Sequence, residues 1–369
     1  MHIVYIGGFE LPDKNAAAQR VMANAKLLKE MGFEVSFIGI SKAIEQAPAS
    51  VEGFVSSPIP YPTNTIQWIH QICTFIDSKV ILNKKPDYVI LYNFPAIASL
   101  KILRACHKYG NGIKVIHDLT EWESSRGWSP ANIMRKIDIN LRMRYCTKKM
   151  DGIIAISRYL YDYYKKYTDT IQVPPTVDLS AEKWNRSREL SVGETIKLVY
   201  AGNAGFGVKD RLDLIIKSVV KFPKMQLDVI GMTKQQYVTG YGNLPIECNN
   251  IFFHGRIPHT NAVKAVQNAD FQFLIRDSNL KNNAGFPTKF VESLACCTPV
   301  IATLTSNIGD YLKDGVNGFV VNDHCSIVDV LVKISNLSKQ DIIQMKLNCK
   351  NCFIFDYREY KSVFKQIFK

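Results

Sequence analysis

Apolar residues along this chain fall into short β-branched runs separated by longer stretches with helical spacing. His2–Ile6 predicts a strand, followed by a turn-rich loop through Pro12 and Asp13. Ala16–Met31 then predicts a helix, with Val21, Ala25 and Leu28 on one stripe and Gly32 just past its end. Val35–Ile40 is the next strand. Tyr88–Tyr92, Ile113–His117 and Gly152–Ile156 read as buried parallel strands, each separated by enough chain for a crossover helix. This alternation predicts an α/β fold with a doubly wound sheet.

Between Gln172 and Glu194 the apolar periodicity lapses, and Pro174-Pro175 with the polar stretch after it reads as a linker. The alternation restarts with strands at Ile196–Ala201, Gln226–Gly231, Ile251–Phe253, Phe271–Ile275 and Pro299–Ala302. Helices are predicted at Lys209–Lys221, Asn261–Ala269 and Pro287–Cys296. The expected organisation is a Rossmann-like domain over 1–173, a linker over 174–194 and a second Rossmann-like domain over 195–353. A C-terminal helix over 354–369 is expected to pack back on one of the two domains, the N-terminal one in particular.

Composition supports two folded domains: 369 residues, 47% hydrophobic and 21% charged, are ample for real cores. The N-terminal stretch lacks the cationic start and apolar run of a signal peptide, and no segment approaches the roughly 20 apolar residues of a membrane span. Nine scattered cysteines, an odd number, suggest reduced thiols. The expectation is a cytoplasmic protein, with the inner membrane face as a second location. Cys349 and Cys352 form a tight pair without the second pair or histidine of a zinc site.

The formal charge of +13 favours an anionic partner. Basic residues do not interleave with aromatics as a base-stacking platform would, which argues against nucleic acid. The basic stretch from Arg135 to Lys149 carries Ile137 and Leu141 among its cations, with Ile133 just ahead of it. It suits a contact with an anionic membrane surface, and equally a core-packed helix with a solvated basic face.

Three segments carry candidate chemistry. Tyr200 to Asp210 runs from a strand through a glycine-rich loop (Gly202, Asn203, Gly205, Gly207) into a helix, with Lys209 expected in the first turn. Glycines there permit close backbone approach, free N–H groups favour a phosphate, and a lysine at a helix start calls for an anion nearby. The spacing departs from the dinucleotide fingerprint. The second segment, Ala284 to Ala295, places Pro287 at a helix start. Phe290 and Leu294 then face inward, and Thr288 and Glu292 share another face. Glu292 suits a ribose hydroxyl, or a surface pair with Lys289. The third segment puts His117 at the carboxyl end of a central strand, followed by Asp118 and Glu121, where open α/β sheets bind ligands; a satisfied packing histidine is the equal alternative. No two aspartates stand two apart, so a metal-holding Asp-x-Asp pair is absent. Charge on a departing diphosphate would then be met by cations such as Lys209, with Arg211, Arg276, Lys281 and Lys289 as helpers.

The stretch from Gly285 to Ile301, containing Pro287, Lys289, Glu292 and Pro299, resembles the donor-site motif of glycosyltransferase family four, retaining enzymes of the GT-B fold. Tyr200-Ala201-Gly202-Asn203, Pro174-Pro175-Thr176-Val177-Asp178 and the segments Asp310–Leu312 and Asp314–Phe319 are similar to that family as well. The resemblance implies two Rossmann-like domains facing across a cleft, and sugar transfer from a nucleotide-sugar to a glycan or lipid-linked acceptor. A hexosyl or N-acetylhexosaminyl transfer in bacterial surface polysaccharide synthesis is the implied setting, with no cofactor and no metal.

It further implies that Glu292 binds ribose, Lys209 contacts the diphosphate and His117 lies beside the donor sugar. Gly7 and Gly8 would approach the phosphates, joined in the donor site by Gly202, Asn203, Arg276, Gly285, Phe286, Pro287, Thr288 and Lys289. Asn15, Asp118 and Glu121 fall to the acceptor side. The sequence departs from the family at two points, with Ala284 at the position of the first motif glutamate and Asn203 at that of an arginine. A nucleotide-sugar epimerase and an inactive nucleotide-sugar-binding relative are the alternatives.

Overall fold

The computed structural model describes every residue except 13–14, 111, 123–127, 203–208, 245–248 and 324–325. The chain divides into two compact units: Met1–Thr176 with Ala284–Phe286 and Tyr357–Lys369, and Val177–Asn283 with Pro287–Asp356.

The first unit is built on eight strands in the order Thr170–Gln172, Gly152–Ala155, Lys114–Leu119, Tyr88–Tyr92, His2–Gly7, Glu34–Ile38, Phe54–Ser56 and Ser50–Val51. All neighbours are parallel except the last pair. The central strands read as continuous apolar runs because helices cover both faces. Ile3, Tyr5, Ile90 and Ile116 point into one buried cluster, while Val4, Ile6, Val89, Leu91 and Val115 point into another. Helix Ala16–Glu30 packs on the first face and is capped by Asn15, whose side-chain oxygen accepts from Ala18 N at 2.8 Å.

The C-terminal residues complete this core. Phe364, Ile367 and Phe368 are buried in it, and the Phe368 ring lies 5.2 Å from Tyr88 and 6.0 Å from Phe33. The segment is not one helix: a 3₁₀ turn at Tyr357–Tyr360 leads into a single helical turn at Lys361–Phe364. Its three apolar anchors span five residues, too few to bury a longer amphipathic stripe. Phe355 belongs to the second unit, where it packs on Phe290 and Tyr311.

The second unit holds a six-stranded, wholly parallel sheet in the order Ile251–Gly255, Met225–Ile230, Ile196–Ala201, Phe271–Leu274, Val300–Thr303 and Gly318–Val321. The final strand goes beyond the periodic pattern, because its four residues begin with a glycine and offer too short a run to read. Buried Lys346 pairs with buried Asp270 at 2.7 Å and ties the long helix Lys339–Lys350 to the strand region.

The polar stretch that reads as a linker is held firmly to the second unit. Trp184 is fully buried, with Nε1 donating to Asp178 O at 2.9 Å. Arg186 donates to the carbonyls of Leu294 and Ala295, and Arg188 to those of Cys296 and Gln267. These cations satisfy orphan carbonyls at the end of helix Thr288–Ala295 and, through Gln267, of helix His259–Asn268. Arginine-to-backbone bonding leaves no apolar period, which is why this segment reads as loose. The seven described cysteines are free, and burial pushes the Cys349 thiol well above its ordinary range.

Candidate functional site

Each unit gathers polar groups at the carboxyl edge of its sheet. In the first, His117 is fully buried in the strand Lys114–Leu119. Its Nδ1 lies 3.0 Å from Thr147 Oγ1, and its Nε2 is buried without a partner. Burial, aided by the positive charge of Arg142, lowers the His117 pKa to about 3. The imidazole is therefore neutral and keeps one ring nitrogen in reserve.

Asp118 follows in sequence and so points to the opposite face. Arg20 meets its carboxylate, with Nη2 at 2.8 Å and Nε at 2.9 Å from Oδ1. Tyr5 donates its hydroxyl to the same group, and Asn24 Nδ2 lies 3.3 Å away. Arg20 also donates to the carbonyls of Val173 and Pro174. The expected acceptor contact by Asp118 is thus corrected: the carboxylate is fully enclosed and pins the first helix and the chain's exit to the central strand.

Asn15, also expected near the acceptor, is occupied as a helix cap. Gly7 is required sterically, since a Cβ there would sit 2.7 Å from Tyr92 Cβ and from its carbonyl oxygen. Gly8 has open space, its nearest neighbour being Ile40 Cδ1 at 4.0 Å. Glu121 is half-buried and lines a cleft with Asn93 and Arg142.

In the second unit the centre is Asp210, fully buried. Arg276 Nε donates to its Oδ1 at 2.7 Å, Tyr200 donates its hydroxyl to Oδ2 at 2.7 Å, and Lys289 is ion-paired with it. Lys289 Nζ also reaches Tyr200 Oη at 2.9 Å. Burial works to raise the Asp210 pKa, but Lys289 and Arg276 hold it well below the usual carboxylate range. Burial depresses Lys289, as do the cations Arg276 and Lys209, with Asp210 opposing. Buried Arg276 and partly buried Lys289 around one carboxylate leave an excess positive charge at the carboxyl edge. Such an arrangement favours an anion.

The Lys289 stem lies over Gly202, where any side chain would overlap it, and Gly202 has φ +138°. Thr303 Oγ1 accepts from Arg276 N and donates to Arg276 O, both at 2.8 Å, which fixes the arginine's backbone.

Lys209 is exposed and precedes the helix, which begins at Leu212, so it is not in a first turn. Arg211 is paired with Asp213 at 2.9 Å and Asp277 at 3.3 Å. Lys281 lies half-buried in the short helix Leu280–Ala284. Pro287 is the N-cap and Thr288 the first residue of helix Thr288–Ala295, one position later than expected. Glu292, one quarter exposed, faces His259 Nε2 at 3.4 Å rather than Lys289. Ala284, Gly285 and Phe286 cluster with the first unit, and Ala284 is fully buried. Asn203 lies outside the described residues.

Sequence reasoning missed Asp210, Tyr200, Arg142 and Thr147. The available signal for the first was an acidic residue directly after Lys209 at the end of a glycine loop. Among the described residues no cluster of three or more His, Cys, Asp or Glu side chains is placed to hold a metal ion, and no helix is long and apolar enough to cross a membrane.

Residues 184–351 match the family described as Glycosyl transferases group 1. None of the curated proteins matches the sequence. Among solved structures, sucrose-phosphate synthase from Thermosynechococcus elongatus is similar at TM-score 0.72 and 13% identity, covering 100% of this chain and 98% of that one. The lipopolysaccharide outer core galactosyltransferase WaaB is similar at TM-score 0.65 and 15% identity, over 99% and 100% of the two chains. Anabaena HepE in complex with UDP and glucose is similar at TM-score 0.64 and 13% identity, over 99% and 98%. The fold is GT-B, the architecture of these glycosyltransferases.

Proposed function

We propose that this glycosyltransferase-like chain transfers a sugar, with retention of anomeric configuration, from a nucleotide-sugar to a glycan or lipid-linked acceptor. The observation that carries this reading is the Lys289–Asp210–Arg276 cluster around a buried carboxylate, with its excess cation. Departure of a nucleoside diphosphate builds negative charge on the β-phosphate, and preorganised cations in a dry site stabilise it without a metal ion. Lys289 and Arg276 would do this directly, and Lys209 would join from its exposed position. Glu292 would accept from a ribose hydroxyl, and neutral His117 would offer Nε2 to a sugar hydroxyl while Thr147 holds its other nitrogen. In a retaining route the departing phosphate takes the proton of the acceptor hydroxyl, and the new bond forms on the face it leaves. UDP and UDP-glucose, both found in complex with Anabaena HepE, are the first nucleotides to try.

The test is to incubate the full chain with UDP-glucose and a panel of sugar acceptors, and to read the product's anomeric signal by NMR. An α-configured product from an α-donor is expected; a β-product would contradict retention.

The same reading includes a bilayer contact. Helix Pro130–Leu141 and the turn after it expose Ile133, Ile137, Leu141 and Tyr145 beside Arg135, Lys136, Arg144 and Lys149, and Trp128 just ahead of the helix is 88% exposed. Apolar side chains ringed by cations suit an anionic headgroup layer. Flotation with anionic vesicles at low salt is expected, and its absence would remove this part.

A further inference from the structure

The second unit contains a cavity of about 420 Å³ at the amino edge of its sheet, the edge away from Asp210 and Lys289. Its position follows from the strand register: Ile196 and Met225 open two adjacent parallel strands, pair with each other, and both line the cavity. Strand Ile196–Ala201 spans six residues and Gly202 follows it, so at about 3.3 Å per residue the Lys289 stem over Gly202 lies about 20 Å off. A small occupant of the cavity does not reach the ion cluster.

The floor is apolar. Met225 and Ile342 are buried, and Val192, Ile196, Phe222 and Leu337 are half-buried against the core of the second unit. Backbone donors along the walls are already spent: Phe222 N donates to Val219 O at 2.9 Å, Met225 N to Phe222 O at 2.9 Å, and Leu337 N to Ile334 O at 3.2 Å. Ser335 gives its hydroxyl proton to Val332 O at 2.7 Å. Asn250 fixes the turn between Phe222 and Met225, its Nδ2 lying 3.2, 3.1 and 2.9 Å from the carbonyls of Val219, Phe222 and Met225. A wall set by such bonds before anything binds lowers the ordering cost of binding.

The charges sit at the mouth. Lys221, Lys224 and Lys339 are exposed around the opening, against one carboxylate, Glu194, which is itself exposed and pairs with Lys339. This separation of apolar floor and cationic rim selects a ligand class. A sugar or a nucleotide base would bury hydroxyls and ring nitrogens against apolar side chains, at the cost of their hydrogen bonds to water. A phosphate calls for an array of free N–H groups, and those of the walls are taken. An amphipath with a carbon body and one carboxylate fits. Its body covers the half-buried side chains, and its charged end meets lysine ammoniums that stay hydrated on flexible stems.

We propose that this cavity binds a small apolar carboxylate, at a site separate from the donor cluster and independent of the sugar-transfer reading. The experiment is calorimetric titration of the full chain at low ionic strength with octanoate and phenylpropionate, and with octanol, octylamine and acetate as controls. At least one carboxylate should bind, roughly fivefold more tightly than octanol and more weakly as salt is added, the behaviour of exposed ion pairs. Acetate, which lacks an apolar body, and octylamine should not bind. Val192→Asp places a like charge in the wall and should weaken carboxylate binding by about tenfold or more. Replacing both exposed lysines, Lys221→Gln with Lys224→Gln, should weaken it by about threefold or more without changing thermal unfolding. Lys289→Ala should leave it unchanged. Binding of neither carboxylate, equal binding of octanol, or an affinity unmoved by both cavity variants overturns the proposal. Loss of carboxylate binding in Lys289→Ala also overturns it, by placing the ligand at the donor cluster. So does a dimer in sedimentation that no carboxylate disperses and that Val192→Asp abolishes, which would give the cavity to a second copy of the chain.

Discussion

Lys289 lies across Gly202, its stem filling the space a side chain would take and its ammonium paired with Asp210. A lysine in the first turn of a helix is disfavoured by the helix dipole, so its retention calls for a local anion. Asp210 supplies one, but Arg276 shares the same carboxylate.

Lys289→Ala should therefore lower kcat by about two to three orders of magnitude, the usual cost of removing one preorganised stabiliser of a developing anion. Gly202→Ala should act in the same direction, because φ +138° and the lysine stem both exclude a methyl group. Steady-state turnover of the donor measures both. Wild-type kcat in Lys289→Ala, with a large loss in Lys209→Ala, would return the diphosphate role to the exposed lysine.

The Arg20–Asp118 pair predicts a stability effect in the first unit. Asp118→Ala leaves a buried guanidinium uncompensated and should cost about 3–5 kcal/mol by urea unfolding. Asp118→Ala with near wild-type stability would show that the network is dispensable.

His117 predicts a pH signature. Its folded pKa of about 3 lies below the unfolded value near 6.5, so below the latter the unfolded chain binds a proton that the native chain refuses. Stability from this group is complete above pH 6.5 and declines as pH falls toward 3, by at most about 1.4 kcal/mol per pH unit. Between pH 6.5 and pH 5, wild type should lose about 1.6 kcal/mol more than His117→Gln. Parallel curves for the two proteins would refute a neutral, buried imidazole.

Phe368→Ala should destabilise the first unit by about 3–5 kcal/mol, because this ring packs on Tyr88 and Phe33 inside the core. Denaturant midpoints would measure the loss, and no change would mean that the terminal residues are detachable.

Much of the fold was legible because parallel strands buried on both faces leave unbroken apolar runs, as in Tyr88–Tyr92 and Ile196–Ala201. The C-terminal segment was less so, since its three anchoring side chains fit a helix and a pair of short turns equally well. In the site, His117 stood out at a strand end, whereas Lys289 entered only as a helper to Lys209 and as a possible surface partner of Glu292. Asp210 and Arg142 did not stand out. Asp210 takes its role from cations 66 and 79 residues distant, and Arg142 from an unpaired nitrogen in a π-turn, and neither leaves a local pattern. Asp118 was misread for the related reason that only the folded sheet shows which face each of two adjacent residues takes.

The most direct measurement of the central claim is thermal unfolding of the full chain in EDTA, with and without millimolar UDP, GDP, ADP and their sugar conjugates. A ligand at one hundred times its Kd adds about 2.7 kcal/mol to the folded state, which moves Tm by several degrees. Stabilisation by one nucleotide series in EDTA, abolished by Lys289→Ala, is the predicted result. No shift with any nucleotide, or a shift that appears only when magnesium is restored, would contradict a donor site built on Lys289, Asp210 and Arg276.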